Sequence, residues 1–176
     1  MQTTSVKAST SASVLTFEAS SSASVLTFEA EAAEVITGSV SDSGSASGGK
    51  VVGGLGRSGD YDGYIQFNNI SAPPSGKYLL HIYYQSAQFR RLDIIVNGGE
   101  PMMTYCGFQQ AGDWSAIYIK TVIVDLNSGV NNLKLGASVE AWCPNIDKIE
   151  LEPYTADSYE SENAETAELT GNARIA

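Results

Sequence analysis

Trp142-Cys143-Pro144-Asn145-Ile146-Asp147-Lys148-Ile149-Glu150-Leu151 is the stretch whose reading decides the fold. Residues two apart in a strand share a face, so Asp147, Ile149 and Leu151 predict a half-buried β-strand that opens with a carboxylate at the margin of its apolar side. An ionised group in that position is costly unless it is paired or metal-bound. Far upstream, Phe28-Glu29-Ala30-Glu31 sets two more carboxylates two residues apart, aimed to one side of a strand. If the first and last strands lie in one sheet, Glu29, Glu31 and Asp147 form an all-oxygen site for a hard cation, most simply Ca²⁺.

The 176 residues have room for one ordinary domain plus tails. Charged residues make up 17% of the chain, and Gly, Ser, Thr, Val, Ile and Tyr are plentiful while amphipathic helical patterns are missing. That composition predicts an all-β class. A net charge of −10 repels phosphate backbones and anionic lipid, so neither nucleic acid nor membrane is an expected partner. Seven of the twenty acidic residues lie between Glu150 and Glu168, which makes much of that charge a property of the tail. No apolar run is long enough to span a bilayer, and the polar start after Met1 does not read as a signal peptide, so a mature fragment or a cut piece of a longer protein is expected. Cys106 and Cys143 fit either one disulfide or two buried thiols.

In chain order, residues 1–24 read as a Ser/Thr/Ala-rich linker, residues 25–153 as the folded unit, and residues 154–176 as an acidic linker. Ser11–Ala19 recurs letter for letter at Ser22–Ala30, and only the second copy runs into the folded pattern. Strands are expected from Val25 to about Thr37, then over 50–52, 64–67, 77–84, 92–96, 117–126, 133–135 and 146–151, with a Gly/Ser-rich loop over 38–49. Asn97-Gly98, Asn127-Ser128-Gly129 and Pro73-Pro74-Ser75-Gly76 mark turns. Short strands punctuated in this way argue for an antiparallel sandwich of jelly-roll type. In 121–126, Val122, Val124 and Leu126 share the face expected to be core. Near the end, Tyr159-Glu160-Ser161-Glu162 and Leu169-Thr170-Gly171 echo Phe28–Glu31 and Ile36–Gly38, as the truncated start of a following module would.

Several of these segments, kept in order, carry a resemblance: Phe28–Glu31; Ala46-Ser47-Gly48-Gly49-Lys50-Val51-Val52; Gly76–Tyr84; Arg91–Gly98; and Pro144–Ile149. Together they resemble the carbohydrate-binding modules of family 35, and those of the related family 6. The resemblance covers about Val25 to Glu152. It implies a β-sandwich jelly roll with a structural calcium, appended to a secreted enzyme that degrades plant polysaccharides. It implies Glu29, Glu31 and Asp147 as calcium ligands, a backbone carbonyl near Lys50 as another, and Asn145 as a hydrogen-bonding partner of the sugar. Tyr105, Trp114 and Trp142 are the loop aromatics it offers as stacking platforms, and a Cys106–Cys143 disulfide would be a local feature of those loops.

The residue chemistry agrees. Sugar recognition needs a ring against the C–H face and a few polar groups to orient hydroxyls, which Trp142 and Asn145 supply. The bland readings stand beside it: Trp142 plugging the sandwich end, Trp114 in the core, Tyr105, Phe108 and Tyr61 packing loops, and the glutamates facing solvent. Asp60 and Asp62 flank Tyr61 in a Gly-rich loop that reads as a solvated turn before it reads as a second calcium site. His81, the sole histidine, sits inside an expected strand, and no nucleophilic triad, zinc ligand set or glycosidase carboxylate pair can be assembled. A monomeric, non-catalytic binding module is therefore the expectation, and a calcium-stabilised spacer without sugar binding is the alternative.

Overall fold

The computed structural model describes residues 24–57, 60–107 and 112–155. The first copy of the duplicated segment, Phe108 and the acidic repeat after Tyr159 lie outside the described residues.

Eleven strands and one 3₁₀ turn make up the regular structure among the described residues. They are β1 (Leu26–Glu29), the 3₁₀ turn (Ala30–Ala32), β2 (Glu34–Ile36), β3 (Ser39–Asp42), β4 (Lys50–Gly53), β5 (Tyr64–Ala72) and β6 (Gly76–Ser86). The rest are β7 (Arg90–Val96), β8 (Met102–Cys106), β9 (Asp113–Leu126), β10 (Gly129–Gly136) and β11 (Asn145–Pro153). One sheet runs β3-β4-β11-β6-β9, with β1 also on β11; the other runs β2-β5-β10-β7-β8. Every pairing is antiparallel. This is the all-β sandwich of jelly-roll type that the strand pattern predicts.

The core lies between the two sheets. Leu80 and Ile82 of β6, Ile146, Ile149 and Leu151 of β11, and Ile65, Leu92, Ile94, Leu133 and Leu135 from the facing sheet form its fully buried centre. Val124 and Leu126 are buried and Val122, partly buried, packs against the core, as the alternation in β9 requires. Burying side chains of this size contributes roughly 1.5–3 kcal/mol each, which drives the two layers together.

Several strands run longer than the sequence reading gives, and the elements themselves depart from it in three places. The run from Val25 to Thr37 is two strands in different sheets, split by the 3₁₀ turn. The Gly/Ser-rich segment 38–49 contains β3, an edge strand exposed at every residue and so without alternation to read. The strand β8 also goes unpredicted. Asn97 and Gly98 do turn the chain with positive φ, 52° and 69°, but within a longer connection from β7 to β8.

The closing strand carries the most consequential departure. Ile146 faces Tyr84 and Lys148 faces Tyr83, so Asp147 has no partner on β6: it is the extra residue of a β-bulge. The bulge turns Ile146 into the core together with Ile149 and Leu151, and takes Asp147 out of the simple alternation. Along its opposite edge, β11 changes neighbour at the same point. Lys148 to Leu151 pair with β1, and Ile146 pairs with Val52 of β4.

Candidate functional site

Two groups of candidate functional side chains lie at this end of the sandwich. The first sits where β11 passes from β1 to β4. The register ends at Glu29 opposite Lys148, and the chain then leaves the sheet through the 3₁₀ turn bearing Glu31. Asp147 fills the gap and is 2% exposed. A third segment closes over it. The 43–49 loop is folded by backbone bonds from Ser43 N to Gly49 O, from Ala46 N to Ser43 O and from Gly49 N to Ala46 O. Buried Gln85 of β6 donates to the hydroxyls of Ser43 and Ser45 at 2.7 and 2.9 Å, which fixes that loop to the sheet.

The loop presents Ser47 and Gly48 to the three carboxylates. Ser47 N–H donates to Asp147 Oδ1 at 2.9 Å and Ser47 Oγ donates to Glu29 Oε2 at 2.6 Å. A Cβ at Gly48 would run into the Glu31 carboxylate and would stand 3.5 Å from Glu29 Oε2, so glycine leaves the room that Glu31 fills. Burial pushes the Asp147 carboxyl above its ordinary range; Glu29 and Glu31 push the same way, against the Ser47 N–H and Lys148. Glu31 Oε2 is buried and accepts no hydrogen bond. As they stand, no three carboxylate, imidazole or thiol side chains among the described residues are drawn in tightly enough to ligate one ion. The chemistry of the set nevertheless fits a hard cation: oxygen donors only, three negative charges, and one buried oxygen without a partner. Lys50 opens β4, opposite Asp42, and its ammonium lies 3.7 Å from that carboxylate. The contacts to the acidic cluster come from Ser47, a residue that sequence reading did not single out.

The second group lies at the same end of the sandwich. Trp142, in the connection from β10 to β11, Asn145 at the head of β11, Trp114 near the start of β9, Arg90 at the start of β7, and Gly54 line a cleft of about 340 Å³. Trp142 and Trp114 are 49% and 39% exposed. Asn145 lies against Gly53, where a Cβ would come 2.5 Å from its Oδ1, so the missing side chain of Gly53 is what admits the amide to the cleft. Arg90 sits with its guanidinium carbon 4.7 Å from the centre of the Trp114 ring, and donates to the Cys143 carbonyl at 3.2 Å and to Gln88 Oε1 at 2.9 Å. It has no carboxylate partner among the described residues, and burial pulls its guanidinium below the usual arginine range. Gly53 was not expected at this site, and from the sequence Arg90 is legible only as one of three basic residues, with Arg57 and Lys50, that could favour a uronic acid. Arg90 stands next to Arg91 in sequence, and only the fold separates the two: Arg91 is engaged by Asp93 at 2.8 and 3.0 Å.

Tyr105, 42% exposed at the end of β8, lies in an adjoining cleft with Phe89 and shares only Trp142 and Arg90 with the first. No Asp or Glu among the described residues lines either cleft. The disulfide left open between Cys106 and Cys143 is absent: both are free, buried thiols packed into the apolar core, each pushed up to about 12 by burial and so held protonated. His81 is packed in β6, its Nδ1 2.9 Å from Thr121 Oγ1. Asp60 and Tyr61 hold positive φ in a loop whose N–H groups bond to the carbonyls of Ser138 and Ala137, as a turn strapped to its neighbour does. No helix among the described residues is long and apolar enough to cross a membrane.

No family model matches the chain. Among solved structures, a family 35 carbohydrate binding module from Clostridium thermocellum is 31% identical and superposes with a TM-score of 0.66, over 73% of this chain and 98% of that one. An exo-β-1,3-galactanase from Phanerochaete chrysosporium, solved with galactose, is 25% identical with a TM-score of 0.65; the match covers 73% of this chain and 29% of the galactanase. An exo-β-D-glucosaminidase from Amycolatopsis orientalis is 32% identical over 100 residues, 51% of this chain. The chain spans about a tenth of that glucosaminidase.

Proposed function

The chain belongs to the family 35 carbohydrate-binding modules, and from that premise we propose that it is a non-catalytic module that binds polysaccharide at the Trp142 cleft and holds an attached, exported enzyme close to that polysaccharide. The observation that carries the reading is the cleft's composition. Two exposed indole rings supply apolar faces for sugar C–H groups, Asn145 and Arg90 supply hydrogen bonds for hydroxyls, and no carboxylate among the described residues is there to act as acid or nucleophile. The galactanase and the glucosaminidase, of which the chain matches only a part, support a carbohydrate-active enzyme as the attached partner.

Calcium is the cofactor of this proposal. Glu29, Glu31 and Asp147 would hold it, with a backbone carbonyl near Lys50 as a further ligand, and the ion would neutralise three carboxylates gathered where the first and last strands meet. Its role is structural: it ties the 43–49 loop and the 3₁₀ turn to β11.

Isothermal titration against soluble galactan, mannan, xylan, chitosan and uronic-acid oligosaccharides, in calcium and again in EDTA, tests the binding. Trp142→Ala and Asn145→Ala should each abolish retention on an affinity gel of the polysaccharide that binds, without shifting the melting transition. Retention unchanged by both would overturn the site. An absence of heat with every sugar, beside a calcium-dependent melting temperature, would make the chain a structural spacer.

A further inference from the structure

The exposed Phe, Tyr and Trp side chains among the described residues are Phe89, Tyr105, Trp114 and Trp142, and all four border two clefts that adjoin at Trp142. The first is the Trp114–Asn145 cleft on the β11 side. The second, of about 380 Å³, is lined by Phe89, Arg91, Tyr105 and Val139 with Arg90 and Trp142 in common. The reason they adjoin is topological. The connection that carries Trp142 leads from β10 in one sheet to β11 in the other, and the connection that carries Phe89 leads from β6 to β7, again between sheets. Both cross the end of the sandwich, and Trp142 stands between a cleft belonging to one sheet and a cleft belonging to the other.

The second cleft has its own platform. Phe89 and Tyr105 stack with ring centres 4.7 Å apart and planes 9° from parallel, yet remain 50% and 42% exposed. Two rings braced on each other form a rigid apolar surface, already ordered before any ligand arrives. Isolated exposed apolar residues need no explanation, but a contiguous aromatic strip marks a binding surface. Arg91 is spent on Asp93 through two hydrogen bonds, so the charge the two clefts share is that of Arg90, which lines both and has no carboxylate partner among the described residues.

We infer that the site is extended: a sugar chain of at least two residues crosses the sandwich end over Trp142, one unit held between Trp142, Trp114 and Asn145 and the next resting on the Tyr105–Phe89 pair. The inference rests on the sugar-binding reading above and adds that the ligand is recognised as a chain, not as a single terminal sugar. One further aromatic contact per bound chain gives roughly three- to tenfold in affinity.

The test is titration of the whole chain with the mono-, di- and trisaccharides of the β-1,3-galactan, β-1,4-mannan, β-1,4-xylan and chitosan series. The expected result is a series whose trisaccharide binds roughly tenfold more tightly than its monosaccharide. Tyr105→Ala and Phe89→Ala should each bring that ratio down toward one. Both side chains are on the surface, so melting curves should show both variants folded; a variant that fails this check leaves the other to decide. A ratio near one for the unaltered chain, or a ratio that survives both substitutions, overturns the extended site alone. No binding at any length in any series overturns the sugar-binding reading together with it.

Discussion

Replacing Asp147 by asparagine should stabilise the calcium-free chain and destabilise the calcium-loaded one. Without a cation, Asp147 is 2% exposed, accepts one hydrogen bond from Ser47 N–H, and shares its surroundings with Glu29 and Glu31. Asparagine keeps the shape and the acceptor for Ser47 while removing a buried charge and its repulsion, a relief on the order of 1 kcal/mol. With calcium at a hundred times its dissociation constant, binding adds about 2.7 kcal/mol to the parent. The variant loses one of its three carboxylates and with it most of that increment. For a domain of this size 1 kcal/mol moves the midpoint by roughly 3–5 °C. Thermal unfolding followed by calorimetry should therefore show the variant melting a few degrees higher in EDTA and several degrees lower in millimolar calcium, so that the two pairs of curves cross. Equal calcium increments in parent and variant would refute the assignment of Asp147 as a ligand. A clear fall in the EDTA midpoint would show that its carboxylate acts as a structural acceptor.

Gly48→Ala should leave the EDTA stability within about 1 kcal/mol of the parent, because the new Cβ clashes with the end of the Glu31 side chain and meets Glu29 only at ordinary contact distance, and should cut the calcium increment by turning the Glu31 carboxylate away; the same melts check it. Fully buried Asp93 has a lowered carboxyl pKa even though burial alone would raise it, because Arg91 and both donors of Ser138 outweigh desolvation. Its folded value lies below its unfolded value of 3.8, so its contribution is complete above that pH and is lost as the pH falls through the lowered value; Asp93→Asn should lower urea stability by about 3 kcal/mol at pH 7 and flatten its acid dependence. Cys106 and Cys143 should resist a thiol-specific disulfide reagent at pH 8 in the folded chain and react as two thiols per chain in guanidinium, whereas fewer than two would mean a bridge.

Where side chains alternate against a core, the fold was legible: Val122, Val124 and Leu126 point inward as their spacing requires. In β3 every residue is exposed, and in β8 the letters Met-Met-Thr-Tyr-Cys are apolar on both faces, so neither strand shows a period of two. The bulge at Asp147 was hidden for a different reason. Ile146 and Ile149 are three apart and both lie in the core, a spacing no regular strand has, and only the pairing with β6 reveals the extra residue. At the sites, carboxylates and aromatics were recognisable by type, but their partners were not. Ser47 reaches Asp147 across a hundred residues of chain, and Arg90 differs from Arg91 only in what the fold places beside it. The cysteines show the same limit: composition admits a bridge, and the packing of each thiol decides against it.

The bulge also determines how the two sites relate. Asn145 and Asp147 are separated by Ile146 alone, which is fully buried and pairs with Val52 on one side and Tyr84 on the other. A residue pinned on both sides and locked into the core is a poor conduit for movement, since packed interiors resist small displacements. Any coupling must be reciprocal, with calcium changing sugar affinity by the same factor as sugar changes calcium affinity. The second route between the sites runs through Gln85, which pairs with Asn145 in register and also holds the 43–49 loop by its side chain. That route joins the 43–49 loop to the backbone of Asn145 and not to the rings of Trp142 or Trp114. Calcium at Asp147 is therefore expected to show itself as stability of the sandwich end, and sugar affinity to change with calcium only as far as Gln85 lets the Asn145 backbone shift.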